Sequence, residues 1–207
     1  TKSQTGLQAD MELITSGYAP GAFQLTAAIT RPEAQTAIAS DTTLEIKENG
    51  LLATARVTIM PERDTCYQAI LQLPEGWKYD GDAEPLPGID IGLPDRNGRL
   101  TVRFPNGIAP PQKQSFKLTL KSTPPGWEQD WTKPRLVDAP VLSMPAASRQ
   151  SGRLCMVTQA PLTMELHQAK NCLAQNSQNA YLYTFQSLPV TLTVAVSRPA
   201  ARLSAGT

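Results

Sequence analysis

The chain has 207 residues, with 19 Lys+Arg against 18 Asp+Glu for a formal net charge of +1, a charged fraction of 18%, 18 Pro, 13 Gly and a single His. This length suits one larger all-β domain or two small ones and buries a core without metals or staples. Balanced charge gives no electrostatic footprint for nucleic acid or an anionic membrane, one imidazole narrows general-base chemistry, and the proline load favours short strands and turns over long helices.

In chain order, residues 1–17 form a leading segment holding a weak strand at 11–15, and further strands are predicted at 23–29 and 43–47. Glu48-Asn49-Gly50 then reads as a hairpin turn, with Asn-Gly supplying positive φ. The next strand, 51–60, alternates strictly: Leu51, Ala53, Ala55, Val57 and Ile59 against Thr54, Arg56 and Thr58. A weaker strand covers 67–73. The stretch 77–94 is acidic and broken by Pro and Gly, and Asp95-Arg96-Asn97-Gly98 turns the chain into an alternating strand at 99–104. Another alternating strand follows at 115–121.

The stretch 122–145 contains Pro124, Pro125, Pro134, Pro140 and Pro145, and reads as a linker between two subdomains or as a crossover pinned to one sandwich. Trp127 and Trp131 favour the pinned crossover, because flexible linkers seldom carry large aromatics. Strands are predicted at 153–157, 162–166 and 180–185, and a short helix at 165–174, where Leu166, Ala169 and Leu173 share a helical face. The last strand, 188–197, alternates again. Period two with one polar face is the pattern of half-buried antiparallel strands. The fold class expected is an all-β antiparallel β-sandwich, as one unit or two β subdomains, with little or no helix. Its predicted core is Leu51, Val57, Ile59, Leu71, Leu73, Leu100, Val102, Phe104, Phe116, Leu118, Leu120, Leu192, Val194 and Val196.

Residues 23–34 and 190–201 align without gaps at an offset of 167 and agree at six of twelve positions, each an alternating strand stopped by Arg-Pro (Arg31-Pro32 and Arg198-Pro199). Pro cannot donate to a ladder and so ends a strand. The similarity reads as a tandem repeat of about 167 residues, or as two similar strands of one sandwich. On this reading 18–185 is the sandwich unit, and 186–207 is the opening strand of a second copy or the terminal strand of the same sandwich. These segments, with Leu71-Gln72-Leu73-Pro74-Glu75-Gly76-Trp77 and Arg149-Gln150-Ser151-Gly152-Arg153-Leu154, resemble repeat units of very large extracytoplasmic multi-domain proteins of planctomycete-type bacteria. The resemblance spans most of residues 18–204. It implies a structural or adhesive block in a surface or envelope protein, with neighbouring repeat units as partners, and it carries no active-site residue. The chain opens Thr1-Lys2-Ser3 without an initiating Met or signal peptide, and is expected to be a segment of a longer protein. No apolar run approaches the ~18 residues of a spanning helix, so membrane insertion is not expected.

Candidate chemistry is sparse. His167 has no GxSxG element or other partner motif beside it and reads as a surface side chain. Asp80, Asp82 and Glu84 place oxygen donors at alternate positions, a candidate calcium site without the EF-hand loop; a solvated acidic loop is the simpler reading, and no cofactor is expected. Trp77, Tyr79, Trp127 and Trp131 are candidate sugar-stacking residues for a carbohydrate-binding alternative, with cell-envelope polysaccharide or another surface protein as partner. The other role open to them is sealing the sandwich ends. Of Cys66, Cys155 and Cys172, the last two lie 17 positions apart and are a candidate disulfide, the alternative being three free thiols. The polar, Pro-rich composition points to an extracytoplasmic location.

Overall fold

The computed structural model describes residues 35–81, 87–128, 131, 133–175 and 180–199. All of these belong to the second of two units into which the chain divides, Glu33–Thr207. The first copy of the repeat, 23–34, lies outside the described residues.

Thirteen strands and no helix make up the described residues: β1 Thr36–Lys47, β2 Gly50–Pro61, β3 Cys66–Gln72, β4 Lys78–Tyr79, β5 Asp90–Ile91, β6 Arg99–Ile108, β7 Gln114–Ser122, β8 Arg135–Asp138, β9 Arg149–Thr158, β10 Thr163–Lys170, β11 Leu173–Gln175, β12 Tyr181–Phe185 and β13 Thr191–Ser197. They form a seven-stranded sheet, β11-β12-β9-β1-β2-β7-β4, and two three-stranded sheets, β10-β13-β8 and β3-β6-β5. Inward residues of all three sheets join one continuous buried cluster. The opposite face of the large sheet presents exposed Thr43, Arg56 and Lys117, so both small sheets cover its other face. The result is a β-sandwich. Phe104 of β6 meets Phe116 of β7, ring centroids 6.4 Å apart, across the two layers.

All fourteen predicted core residues are buried. Each large aliphatic among them contributes about 1.5–3 kcal/mol by leaving water. The core also takes in Ile38, Leu44 and Ile46 of β1, Leu154 and Met156 of β9, and Tyr183 and Phe185 of β12, strands whose alternation is diluted by Ser, Thr or Gly. On β1 this dilution has a cost: Thr42 is buried and its Oγ1 finds no partner, an unsatisfied hydroxyl worth about 1–3 kcal/mol.

Three expectations are corrected. The β1–β2 hairpin forms, but its loop is Glu48-Asn49, with Lys47 opposite Gly50; the positive φ, +143°, falls on Gly50 and not on Asn49. The helix expected at 165–174 is instead strand β10 and the start of β11. Leu166 faces Val194, Gln168 faces Thr193 and Ala169 faces Leu192, so His167 is an extra residue in the ladder. A bulge shifts the phase of a strand by one, which turns the spacing Leu166–Ala169 into a helix-like step of three. Finally, the sheets are not purely antiparallel, because β1 pairs β9 in parallel from Ala37↔Arg149 to Ile46↔Thr158.

That parallel pair explains one glycine. A Cβ on Gly152 would lie 2.0 Å from the Ser40 carbonyl oxygen and 3.0 Å from Cζ of Phe185. The first clash is with backbone, which cannot swing aside. Gly152→Ala is expected to lower stability by about 1–3 kcal/mol, as overpacking does, read as a lower denaturant midpoint with an unchanged m-value.

Candidate functional site

The four candidate aromatics gather at one end of the large sheet, where β1 turns into β2. Pro124 and Trp127 close a turn, with Trp127 N–H donating to the Pro124 carbonyl at 3.0 Å and Gly126 at φ +69°. The Trp127 indole is 2% exposed, and its Nε1–H donates to the Lys47 carbonyl at 2.8 Å. Trp131 meets it edge-on, centroids 4.9 Å apart. The Arg135 guanidinium lies 5.6 Å from the Trp127 ring centroid and 5.1 Å from that of Trp131, a cation–π arrangement on both. Trp77 and Tyr79 lean on the core half-buried, and burial raises the Tyr79 phenol above its usual 10.0. Ser122 Oγ holds the chain beside Trp77 by donating to the Gly76 carbonyl at 2.8 Å. Trp127 therefore has no free face for a sugar, and its indole ties the chain after β7 to the end of β1.

Asp80 pairs with Lys121 at 2.5 Å, and its N–H donates to the Thr119 carbonyl at 2.9 Å; Asp82 and Glu84, proposed with it as calcium ligands, lie outside the described residues. His167 is exposed at its bulge. The Cys155–Cys172 bridge is not formed, and all three cysteines are free thiols. Leu154 and Met156 point into the core, which turns Cys155 to the outer face of the large sheet. Cys172 packs against the core, its Sγ 3.7 Å from the Thr191 carbonyl oxygen. Thiols on opposite faces of a sheet cannot meet the geometry of a disulfide. Burial raises the Cys66, Cys155 and Cys172 thiols above their ordinary 9.0. At Cys66, hydrogen bonding with the Thr36 side chain and the Gln68 backbone offsets part of the rise.

One arrangement escaped the sequence reading. The outer face of the large sheet sets Arg56 opposite Lys117 and Lys78 opposite Lys121. Between these pairs runs a row of hydroxyls, Thr43, Thr54 and Thr119. The basic residues were visible on the polar sides of the alternating segments 51–60 and 115–121. Their juxtaposition follows from the β2–β7–β4 order, which alternation does not encode.

No family model matches the chain, and no curated protein matches it. Among solved structures, the chain is similar to an M1 zinc metallopeptidase from Deinococcus radiodurans at 14% identity and TM-score 0.44. It is similar also to a mutant of an M1 zinc metallopeptidase from the same organism bound to a Tyr-ser-ala substrate, at 15% identity and TM-score 0.44. Each match covers 79% of this chain and 42% of the other, so the chain spans less than half the length of those structures. At such scores no activity, metal or substrate transfers to this chain.

Two outcomes follow. Trp127→Ala is expected to lose about 3–5 kcal/mol of stability, the cost of truncating a buried aromatic, with Trp127→Phe recovering part of it; chemical denaturation of both variants checks this. Thiol titration of the denatured, unreduced protein should find three thiols, with Cys66 reacting slowest in the native state at about pH 8. Because the folded-state thiol values are raised, the stability they contribute is present below the unfolded thiol value and is lost as pH rises through the folded one. Unfolding free energy should therefore fall at alkaline pH, and less steeply in Cys66→Ala.

Proposed function

We propose that the chain is a non-enzymatic structural or adhesive β-sandwich module, one block of a longer extracytoplasmic bacterial protein whose first partners are neighbouring repeat units. The supporting observation is the continuity of the buried core across all three sheets, with the crossover held by the Trp127 indole. This supports reading the Pro-rich stretch as a crossover within one unit rather than as a linker between two subdomains. The candidate reactive groups lie apart: His167 on an exposed bulge of β10, Cys155 on the outer face of the large sheet, Cys66 inside. Nucleophile and base must lie within hydrogen-bond reach to act together. A carbohydrate-binding role through stacked tryptophans is the less favoured reading, since Trp127 is buried. The extracytoplasmic location rests on composition and on the resemblance to envelope repeats; free thiols lend it no support from disulfide chemistry.

Incubation with a panel of peptide, ester, glycoside and phosphoester substrates, with zinc and calcium supplied, is expected to show no turnover above that of the His167→Ala variant. Turnover that His167→Ala abolishes would overturn the non-enzymatic reading.

A further inference from the structure

We infer that the outer face of the seven-stranded sheet is a docking surface for an acidic polysaccharide, gripped by Arg56, Lys117 and Lys78 around a row of threonine hydroxyls. The inference goes beyond the module reading and does not depend on it.

Charge on this face is not balanced. Its three described acids are each taken by a cation: Asp41 by Arg153 in a two-pronged pair at 3.0 and 2.6 Å, Asp80 by Lys121, and Glu45 by Lys47 at 2.9 Å. Arg56, Lys117 and Lys78 are left without an ion pair among the described residues, on three successive strands of the sheet, β2, β7 and β4. Arg56 stands between Asp41 of β1 and Lys117 of β7, and Lys78 stands across from Lys121, which Asp80 neutralises. Lys117 and Lys78 each face a cation and no acid across the ladder, an arrangement of like charges that an anion laid over them would offset.

The spacing and the surroundings favour a polysaccharide over other polyanions. Lys117 and Lys121 lie on one strand four residues apart, about 13 Å at the rise of an extended strand, so the two cation pairs grip an extended chain at two points. Between them Thr54 and Thr119 stand side by side, and Thr58 and Ser115 share a hydrogen bond at 2.8 Å on the same face. Hydroxyls at cross-strand spacing can both donate and accept, as sugar hydroxyls and carboxylates require. No Trp, Tyr or Phe lies among these residues to stack on bases, as single-stranded nucleic acid demands. Near the basic residues the apolar member of the face, Leu52, is half-buried, and the exposed Leu173 lies on the opposite edge strand β11, so no apolar cluster accompanies the cations to insert into lipid.

The test uses the whole chain with polygalacturonate and dextran sulfate as probes, neutral dextran as control, and single-stranded DNA and phosphatidylglycerol vesicles as competing polyanions. Binding to the acidic polysaccharides is expected in about 20 mM salt and should weaken by at least about tenfold near 200 mM, as released or screened counterions dictate. The triple variant Arg56→Gln, Lys117→Gln, Lys78→Gln should lose at least about tenfold in affinity at low salt, while its melting temperature holds, because none of the three side chains makes an ion pair among the described residues. Absence of acidic-polysaccharide binding overturns the inference. So does binding that the triple variant retains, or tighter binding of DNA or vesicles than of either polysaccharide. A variant that melts lower is replaced by Lys117→Gln alone, which must still weaken binding.

Discussion

Strand β1 is hydrogen-bonded along both edges, antiparallel to β2 and parallel to β9, and the rest of the sandwich depends on that double pairing. The hairpin to β2 is local and closes over two residues. The pairing with β9 joins segments more than a hundred residues apart, and it is what brings the later strands β9, β12 and β11 into the same sheet as β2 and β7. Such a contact repays the entropy of closing a long loop only if its ladder is complete. It runs over ten consecutive register pairs, and Gly152 lets the backbones approach where a side chain would strike the Ser40 carbonyl.

The two faces of the large sheet obey different physics. Inward, alternation delivers Ala53, Ala55, Val57 and Ile59 of β2 against Phe116, Leu118 and Leu120 of β7, all buried. Outward, the same strands offer Thr, Ser, Arg and Lys, where packing imposes little and charge arrangement is free to vary. A near-zero net charge therefore coexists with a locally cationic surface, because the balancing acids are locked in pairs or sit elsewhere on the chain. Sums over a sequence describe solubility; register describes recognition.

The fold was legible wherever one side of a strand was uniformly apolar. Segments 51–60, 99–104, 115–121 and 188–197 show this, and their inward residues form the core. It was less legible where the inward side mixes chemistries, as in β1, which sends Ser40 and Thr42 into the core beside Leu44 and Ile46. Bulges defeated period counting at His167. The aromatic set was found by composition, but burial of Trp127 depends on a hydrogen bond to Lys47, 80 positions away, which spacing does not contain. The cysteine pair failed for a similar reason: proximity along the chain says nothing about which face of a sheet each thiol occupies.

The parallel ladder also governs how the unit responds to pulling. A force along the axis of β1 would act against β2 on one side and β9 on the other. Both ladders are then loaded in shear, with many hydrogen bonds resisting together rather than opening one after another. A hairpin pulled from its open ends unzips, whereas a strand clamped between two neighbours must slide. Sliding by one residue would turn Ile38, Leu44 and Ile46 away from the core. The central position of β1 thus ties resistance along its axis to two ladders at once, so that the strand moves only when both registers give way together.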